Sequence, residues 1–337
     1  MKKDIIESLY KVMCSATTTA IDARITNNDY FKRRVLGFRA EIEFENLIKK
    51  SPKVDFLEGG QFISKKLTGE LGDKNVFIYT TISSDKPRDY LEVYKTISKW
   101  EEVESLIYIK MSKDGWVDEP CEIKTNRGLR KQDKILRPAY VFYQFNTQTK
   151  DFDKINNGDF DIVLNHFPPS QRRPSLFRLR KKKQFNYFEE YNFAILQKIY
   201  ANRYFLDVIM RKAPGRQIID LDGFLVFKNK IILVEIKEKS PITSDEIDKW
   251  KYGWDSRRIL WYLYLQKKIS MQILYSIRQI NNRTDRKFVQ WDSIFLDDFL
   301  RGVGWSTSRA GGGGEDTLLA PYSFFRRLKD IIKDNTN

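Results

Sequence analysis

Residues 219–240 read IDLDGFLVFKNKIILVEIKEKS, a pattern that predicts two β-strands joined by a tight turn centred on Asn229. Folding about this turn places Asp222, near the start of the first strand, beside Glu235 and Lys237, near the end of the second. Side chains alternate between the two faces of a strand, so Glu235 and Lys237 share one face. Two carboxylates and an ammonium group therefore converge at the end of an apolar hairpin. Burying such a cluster is costly unless a metal ion or a substrate phosphate is bound there.

The E-x-K spacing is weak evidence by itself, because 45 acidic and 60 basic residues among 337 produce several acid-x-base triplets by chance. The segment CEIKTN at residues 121–126 contains one of them. The triplet that begins at Glu235 differs in its surroundings. An apolar run at residues 231–234 leads into it, Asp222 lies across the hairpin, and a capping-box pattern at residues 243–246 predicts that a helix follows.

The arrangement of Asp222, Glu235 and Lys237 resembles the PD-(D/E)XK nuclease superfamily, and within it the type II restriction endonucleases most closely. Leu221 stands where many members carry a proline. Asp220 lies on the same strand face as Asp222 and is an alternative ligand, although Asp222 aligns better across the hairpin. The resemblance implies an α/β (α+β) fold with a restriction-endonuclease-like core. In that fold a central mixed β-sheet is flanked by helices, and here a large β-rich insertion or second lobe is expected in addition.

The chemistry that the resemblance implies is Mg²⁺-dependent hydrolysis of phosphodiester bonds. Asp222 and Glu235 would hold the ion, because Mg²⁺ prefers oxygen ligands and is often bound by one or two carboxylates plus substrate phosphate oxygens. Lys237 would hold or activate the attacking water and stabilise the developing negative charge. Members of the superfamily often carry a further glutamate on the helix before the core sheet. Glu41 borders an apolar helical stripe and fits that role better than Glu43, although an ordinary surface glutamate is the alternative.

The remaining sequence predicts that both ends of the chain contribute to the catalytic core. Residues 1–60 are expected to form N-terminal helices that join the core, and residues 216–337 the core itself. Residues 61–215 alternate short β-rich runs with turn residues, so we expect an insertion or lobe that recognises DNA. The segment SRAGGGGED at residues 308–316 is not expected to form regular structure.

Local patterns predict three further elements. A helix is expected to begin at Thr243 and to run to about Lys268, with a restart near Asp255. The segment DFDIVLNHF at residues 159–167 reads as a strand that leads into a turn. PYSFFRRLKDIIK at residues 321–333 reads as an amphipathic helix.

A strong basic surplus points to a polyanionic partner. The formal net charge is +15, and basic side chains that bind phosphates release counterions from nucleic acid. Double-stranded DNA is the expected partner, and a merely basic protein surface is the alternative for each contact proposed. The candidate DNA-binding residues are Arg172, Arg173, Arg178, Arg180, Lys181, Lys182, Lys183, Arg257, Arg258 and Arg283.

The small numbers of histidines and cysteines argue against several kinds of catalytic and metal site. His166 is the sole histidine, which argues against a histidine general base, a multi-histidine metal site and the ββα-metal nucleases. Cys14 and Cys121 are the only cysteines, so neither a disulfide framework nor a cysteine zinc site is expected.

The sequence lacks a secretory signal and a long apolar run, and the expected location is the cytoplasm. A nucleotide cofactor is not expected, because no phosphate-binding P-loop motif is present.

The expected function is therefore that of a sequence-specific DNA endonuclease, most like a type II restriction enzyme. The resemblance also implies a homodimer, because a palindromic target mirrors two-fold protein symmetry. One alternative is a repair, recombination or transposition nuclease of the same superfamily, and another is an RNA-directed nuclease. A third is a nucleic-acid-binding protein that uses the same fold without catalysis. Metal-dependent cleavage separates the last alternative from the others.

Overall fold

The chain is mixed α/β, with several mixed β-sheets. The computed structural model describes residues 1–15, 27–67, 74–124, 130–167, 176–178, 188–213, 217–228, 230–243, 250–282, 284–303, 307–308 and 317–336. The α-helices in this part of the chain are α1 (Lys2–Ser15), α2 (Asn27–Ile48), α3 (Leu91–Ile97), α4 (Asp161–Leu164), α5 (Phe193–Tyr204), α6 (Ser256–Ile269), α7 (Leu296–Gly302) and α8 (Leu328–Thr336). No helix among these is long and apolar enough to cross a membrane.

The strands of the described residues follow in chain order. They are β1 (Asp55–Glu58), β2 (Gln61–Leu67), β3 (Lys74–Ser83), β4 (Val103–Met111), β5 (Val117–Lys124), β6 (Arg130–Arg137), β7 (Tyr140–Asn146), β8 (Asp151–Lys154), β9 (Leu176–Arg178), β10 (Gln217–Asp220), β11 (Gly223–Phe227), β12 (Lys230–Lys239), β13 (Ile242–Thr243), β14 (Trp250–Asp255), β15 (Gln272–Ile280), β16 (Phe288–Phe295), β17 (Thr307–Ser308), β18 (Thr317–Pro321) and β19 (Arg326–Arg327).

The chain divides into two compact units. The first unit consists of Met1–Phe38, Gly60–Tyr94 and Glu101–Asp220. The second unit consists of Arg39–Gly59, Lys95–Trp100 and Leu221–Asn337. The chain therefore passes between the units within α2, near residue 60, on either side of Lys95–Trp100 and near residue 220.

The first unit contains a six-stranded sheet and a three-stranded sheet. The larger sheet has the strand order β10-β2-β3-β4-β7-β8, and the smaller one has the order β6-β5-β9. Tyrosines fill much of the core of the larger sheet. The ring of Tyr94 packs edge-on against Tyr79 at 5.2 Å, and its hydroxyl donates to the carbonyl of Ile107 at 2.8 Å. A tyrosine can be fully buried in this way because its polar end has a partner.

The second unit is built on a six-stranded mixed sheet with the order β1-β11-β12-β15-β16-β19. Strands β12 and β15 run parallel, with α6 in the connection between them, and the neighbouring pairs are antiparallel. One face of this sheet packs against α2, where Val234 and Ile236 contact a core that contains Ala40, Phe44 and Ile48. Helix α6 lies on the other face, so the sheet is flanked by helices on both sides. A smaller sheet with the order β13-β14-β18-β17 completes the unit.

The hairpin predicted at residues 219–240 is present, but its first strand is shorter than the sequence indicated. The register pairs Gly223 with Val234 and Phe227 with Lys230, so the turn lies one half-residue from the predicted centre. Asp222 comes immediately before β11. Asp220 belongs to β10 in the first unit, where its carboxylate accepts a hydrogen bond from Gln61 at 3.1 Å. The prediction that Asp220 and Asp222 share a strand is therefore wrong, because the chain changes sheets between them.

The prediction of a helix from Thr243 is also wrong. Thr243 lies in β13, and a second strand, β14, precedes the helix. Strand β14 pairs with β18 and buries Tyr252 and Trp254, and this pairing outweighs the local capping-box pattern. Helix α6 begins at the predicted restart, with Asp255 as its N-cap.

Two further local predictions need correction. Residues 159–167 contain the short helix α4 (Asp161–Leu164) instead of a strand. The Asp159 side chain accepts the backbone N–H of Asp161 at 2.8 Å, which favours a helical turn at this point. The C-terminal helix begins only at Leu328, because Arg326 and Arg327 extend the sheet as β19. The glycine run at residues 311–314 lies outside the described residues.

Candidate active site

The structure brings Asp222, Glu235 and Lys237 together at the end of the β11–β12 hairpin. The Lys237 ammonium lies 3.0 Å from Oδ2 of Asp222 and 2.7 Å from Oε1 of Glu235. The same Oδ2 atom accepts the backbone N–H of Ile236 at 2.7 Å. One lysine thus bridges two carboxylates, and a backbone amide fixes the position of one of them.

The strand register explains why these side chains meet. Strand β12 extends beyond its pairing with β11, and its end continues alongside β15, where Glu235 pairs with Tyr275 and Lys237 with Ile277. Val234 and Ile236 point to the α2 face, so Glu235 and Lys237 point to the α6 face. Glu235 is fully buried, whereas the Lys237 side chain is 38 % exposed. Solvent therefore reaches the cluster from the lysine side.

Helix α6 supplies two more polar groups to the cluster. The Tyr262 hydroxyl donates a hydrogen bond to Oε2 of Glu235, and Nε of Arg258 lies 3.6 Å from Oε1. Residues four apart lie on the same side of a helix, so both can face the same carboxylate. Asp255 sets the start of this helix by accepting the backbone N–H of Arg258 at 3.1 Å.

Tyr262 is the site residue that the sequence analysis missed. It lies in an apolar run, where an aromatic residue reads as core packing. Arg258, four residues earlier, was predicted only to bind DNA, so the spacing between the two residues is a signal that could have been used. That signal becomes informative only once α6 is known to cover the face that carries Glu235.

The site is electrostatically balanced, with two acidic and two basic side chains. Burial raises the pKa of Asp222 to about 6, with a further contribution from the nearby Glu235 charge, and Lys237 and Arg258 oppose this rise. Burial also acts to raise the pKa of Glu235, but Lys237 and Arg258 outweigh it, so this pKa lies below its usual value. The structure therefore gives its two carboxyl groups different affinities for protons.

The two donors around Glu235 stay protonated at neutral pH. Burial acts to lower the pKa of Lys237, but Asp222 and Glu235 outweigh it, and the net shift is upward. The pKa of Tyr262 is raised well above its usual value, mainly by burial and then by the Glu235 charge. Tyr262 is therefore a neutral hydrogen-bond donor, and Lys237 is a cation that holds its proton tightly.

The donor set fits Mg²⁺, provided that a substrate contributes ligands. Oε1 of Glu235 is buried, and among the described residues it has only charge contacts, with Lys237 and Arg258. Two carboxylates suit an ion that also takes waters and phosphate oxygens. Within the described ranges no group of three or more acidic, histidine or cysteine side chains could hold a metal. Glu41 lies half-buried on α2 and does not form such a group with Asp222 and Glu235.

The other residues predicted to bind DNA are only partly described. Arg257 is exposed at the start of α6, whereas Arg258 contacts the buried Glu235 and belongs to the candidate active site. The backbone of Arg178 lies in β9. The residues that lie outside the described ranges are Arg172, Arg173, Arg180, Lys181, Lys182, Lys183 and Arg283.

Comparison with known proteins adds no relative to this description. No protein-family model, no curated protein and no solved structure matches the chain. The cluster formed by Asp222, Glu235, Lys237, Arg258 and Tyr262 is therefore the feature of the described structure that bears on function.

Proposed function

We propose that this protein is a Mg²⁺-dependent DNA endonuclease with a restriction-endonuclease-like core, most like a type II restriction enzyme. The observation that carries the proposal is the Lys237 ammonium, which lies within 3.0 Å of a carboxylate oxygen from both Asp222 and Glu235 at the open end of a buried hairpin. The mixed sheet with helices on both faces is consistent with such a core. An ion bound by the carboxylates would supply an activated water and offset charge on the phosphate.

Each side chain has a distinct task in this proposal. Asp222 and Glu235 provide the two oxygen ligands, and the amide of Ile236 and the hydroxyl of Tyr262 orient them. Lys237 is the exposed member, so its ammonium can contact the attacking water and stabilise negative charge on the phosphate oxygens. Arg258 adds a second positive charge on the same side.

Several features favour duplex DNA as the substrate. The net charge of +15 suits a polyanion, and the single histidine argues against activation of the attacking water by a histidine base. A homodimer acting on a palindromic site in the cytoplasm completes the proposal. The rival nucleases of the same superfamily differ in their substrates, so the pattern of cleavage products distinguishes them.

The test is cleavage of a long unmodified DNA duplex by purified protein with Mg²⁺. Discrete fragments are expected for a sequence-specific enzyme, and a smear would indicate a nonspecific nuclease. Lys237→Ala should abolish cleavage while duplex binding is largely retained. Lys228→Ala is the matched control, because Lys228 lies exposed in the turn of the same hairpin. This variant should cleave DNA at the wild-type rate. Wild-type cutting by Lys237→Ala, or no cutting by the wild-type protein, would overturn the proposal.

A further inference from the structure

A cluster of arginines surrounds the residue that follows Lys237 in β12. The Glu238 side chain is 2 % exposed and points away from the Asp222 cluster, on the α2 face of the sheet. Arg39, Arg278 and Arg286 all form ion pairs with it, at 2.6, 3.1 and 2.7 Å. These residues come from α2, from β15 and from the turn before β16, so the cluster joins three separate parts of the second unit.

The arginines use their nitrogens unequally. Arg39 donates through Nε and Nη2 to one oxygen of Glu238, and Arg286 places Nε and Nη2 at 2.9 and 2.7 Å from the other oxygen. Arg278 uses all three nitrogens, because Nε and Nη2 contact Glu43 and Nη1 contacts Glu238. In the described part of the chain, Nη1 of Arg39 and Nη1 of Arg286 have no such partner.

The cluster has an excess of positive charge that is open to solvent. Three guanidinium groups face the two carboxylates of Glu238 and Glu43, which leaves a net charge of one. Arg278 is buried, whereas the Arg39 side chain is 33 % exposed and the Arg286 side chain is 20 % exposed. The two arginines with free Nη1 groups are therefore also the accessible ones.

The backbone at Arg286 is held in an unusual conformation. Its φ angle is 54°, in the left-handed region that residues other than glycine rarely adopt. The turn is fixed by the Asn281 side chain, which accepts the backbone N–H of Lys287 at 2.9 Å, and by the Asn282 side chain, which accepts that of Asp285 at 2.7 Å. A strained residue persists only where its surroundings stabilise it, and here the result is a guanidinium aimed at Glu238.

We propose that Arg39 and Arg286 form a binding site for a backbone phosphate of nucleic acid, with Glu238 as the residue that orients both. Guanidinium groups suit phosphate oxygens, and a buried carboxylate that fixes them in advance reduces the entropy lost on binding. Glu238 and Lys237 are neighbours on opposite faces of β12. The phosphate held by the arginines is therefore a different one from the phosphate that would contact Lys237.

This inference rests on the proposed function, because its ligand is the DNA backbone. The experiment measures binding of a short duplex in EDTA, so that no cleavage occurs, over a range of salt concentrations. Removing one arginine–phosphate interaction should reduce the slope of log K against log salt by about 1. Arg39→Gln and Arg286→Gln should each show this reduction together with weaker binding at low salt. Inorganic phosphate at millimolar concentration should compete less against either variant than against the wild-type protein.

Conservative variants separate a binding role from a structural one. Arg39→Lys and Arg286→Lys keep the charge and should restore most of the salt slope, although a lysine cannot reproduce the two-pronged interaction with Glu238. Arg301→Gln is the control, because Arg301 is 76 % exposed and pairs with Asp298, and it should bind with the wild-type slope. Urea unfolding of each variant verifies that it is folded.

The outcomes distinguish this inference from the proposed function. If the wild-type protein cuts DNA but both glutamine variants bind it with unchanged affinity and slope, the arginine cluster is structural and the inference is wrong. If the glutamine and lysine variants lose stability equally and binding not at all, the same conclusion follows. If the wild-type protein neither binds nor cuts duplex DNA, the proposed function itself fails.

Discussion

The hydrogen bond between Tyr262 and Glu235 provides the sharpest test of the candidate site. Tyr262→Phe removes one hydroxyl and keeps the aromatic ring, so packing against Trp254, whose ring centroid lies 5.7 Å away, is preserved. The fully buried Glu235 is then left without the donor to Oε2. No water can easily replace that donor, because the carboxylate is inaccessible to solvent.

The expected loss of stability follows from the negative charge of the hydrogen-bond acceptor. A hydrogen bond to a charged group contributes about 1.5–3 kcal/mol, and we expect the free energy of unfolding to fall by about that amount. Mutation of a residue that orients a metal-binding side chain typically reduces metal affinity or activity by about 10–100-fold. We therefore expect a reduced rate of Mg²⁺-dependent DNA cleavage together with a higher Mg²⁺ concentration for half-maximal rate.

Urea unfolding in EDTA measures the stability change, and a Mg²⁺ titration of the cleavage rate measures the functional one. Tyr264→Phe is the matched control on the same helix. Tyr264 is 39 % exposed, and within the described residues its hydroxyl forms no hydrogen bond. Unfolding at the same urea concentration and equal cleavage of DNA by Tyr262→Phe and Tyr264→Phe would contradict this role of the hydrogen bond.

Two further predictions concern Asp222 and the start of α6. The pKa of Asp222 is raised from 3.8 to about 6, so the folded protein holds this proton more tightly than the unfolded chain does. The stabilisation is complete below about pH 4 and is lost as the pH rises through about 6. Between those pH values, the free energy of unfolding of Asp222→Asn should therefore rise by about 1–3 kcal/mol relative to that of the wild-type protein, because asparagine does not ionise. Parallel curves of stability against pH for the two proteins in EDTA would contradict this. Asp255→Ala removes the helix N-cap and should lower stability by about 1 kcal/mol in urea unfolding. Because the cap also fixes Arg258, the cleavage rate should fall too, and an unchanged stability would disprove the capping role.

The hairpin could be predicted from sequence because its signals are local. Strand alternation and turn residues depend on neighbouring positions, and they placed Asp222 beside Glu235 and Lys237. The change of sheet between Asp220 and Asp222 could not be predicted in this way. It depends on a partner strand, β2, that lies far away in the sequence.

Other parts of the site depend on contacts between distant segments. The side chain of Tyr262 reaches Glu235 only because β12 and β15 are parallel and α6 covers one face of the sheet. The arginines around Glu238 come from positions separated by up to 247 residues, between Arg39 and Arg286. At residue 243 the local capping pattern was misleading, because Thr243 pairs with Trp250 of β14, and β14 in turn pairs with β18.

The hairpin that carries the candidate site also has a consequence for how the protein folds. Asp222, Glu235 and Lys237 are joined by a short antiparallel connection, and closing such a loop loses little chain entropy. Pairing between β12 and β15 requires the whole crossover through α6, which is a slower, non-local event. We therefore expect Lys237 to accompany the two carboxylates from the first stage of folding at which they meet. The acids would then have a neutralising counter-ion before Arg258 and Tyr262 pack against them, so their burial would not depend on prior docking of α6.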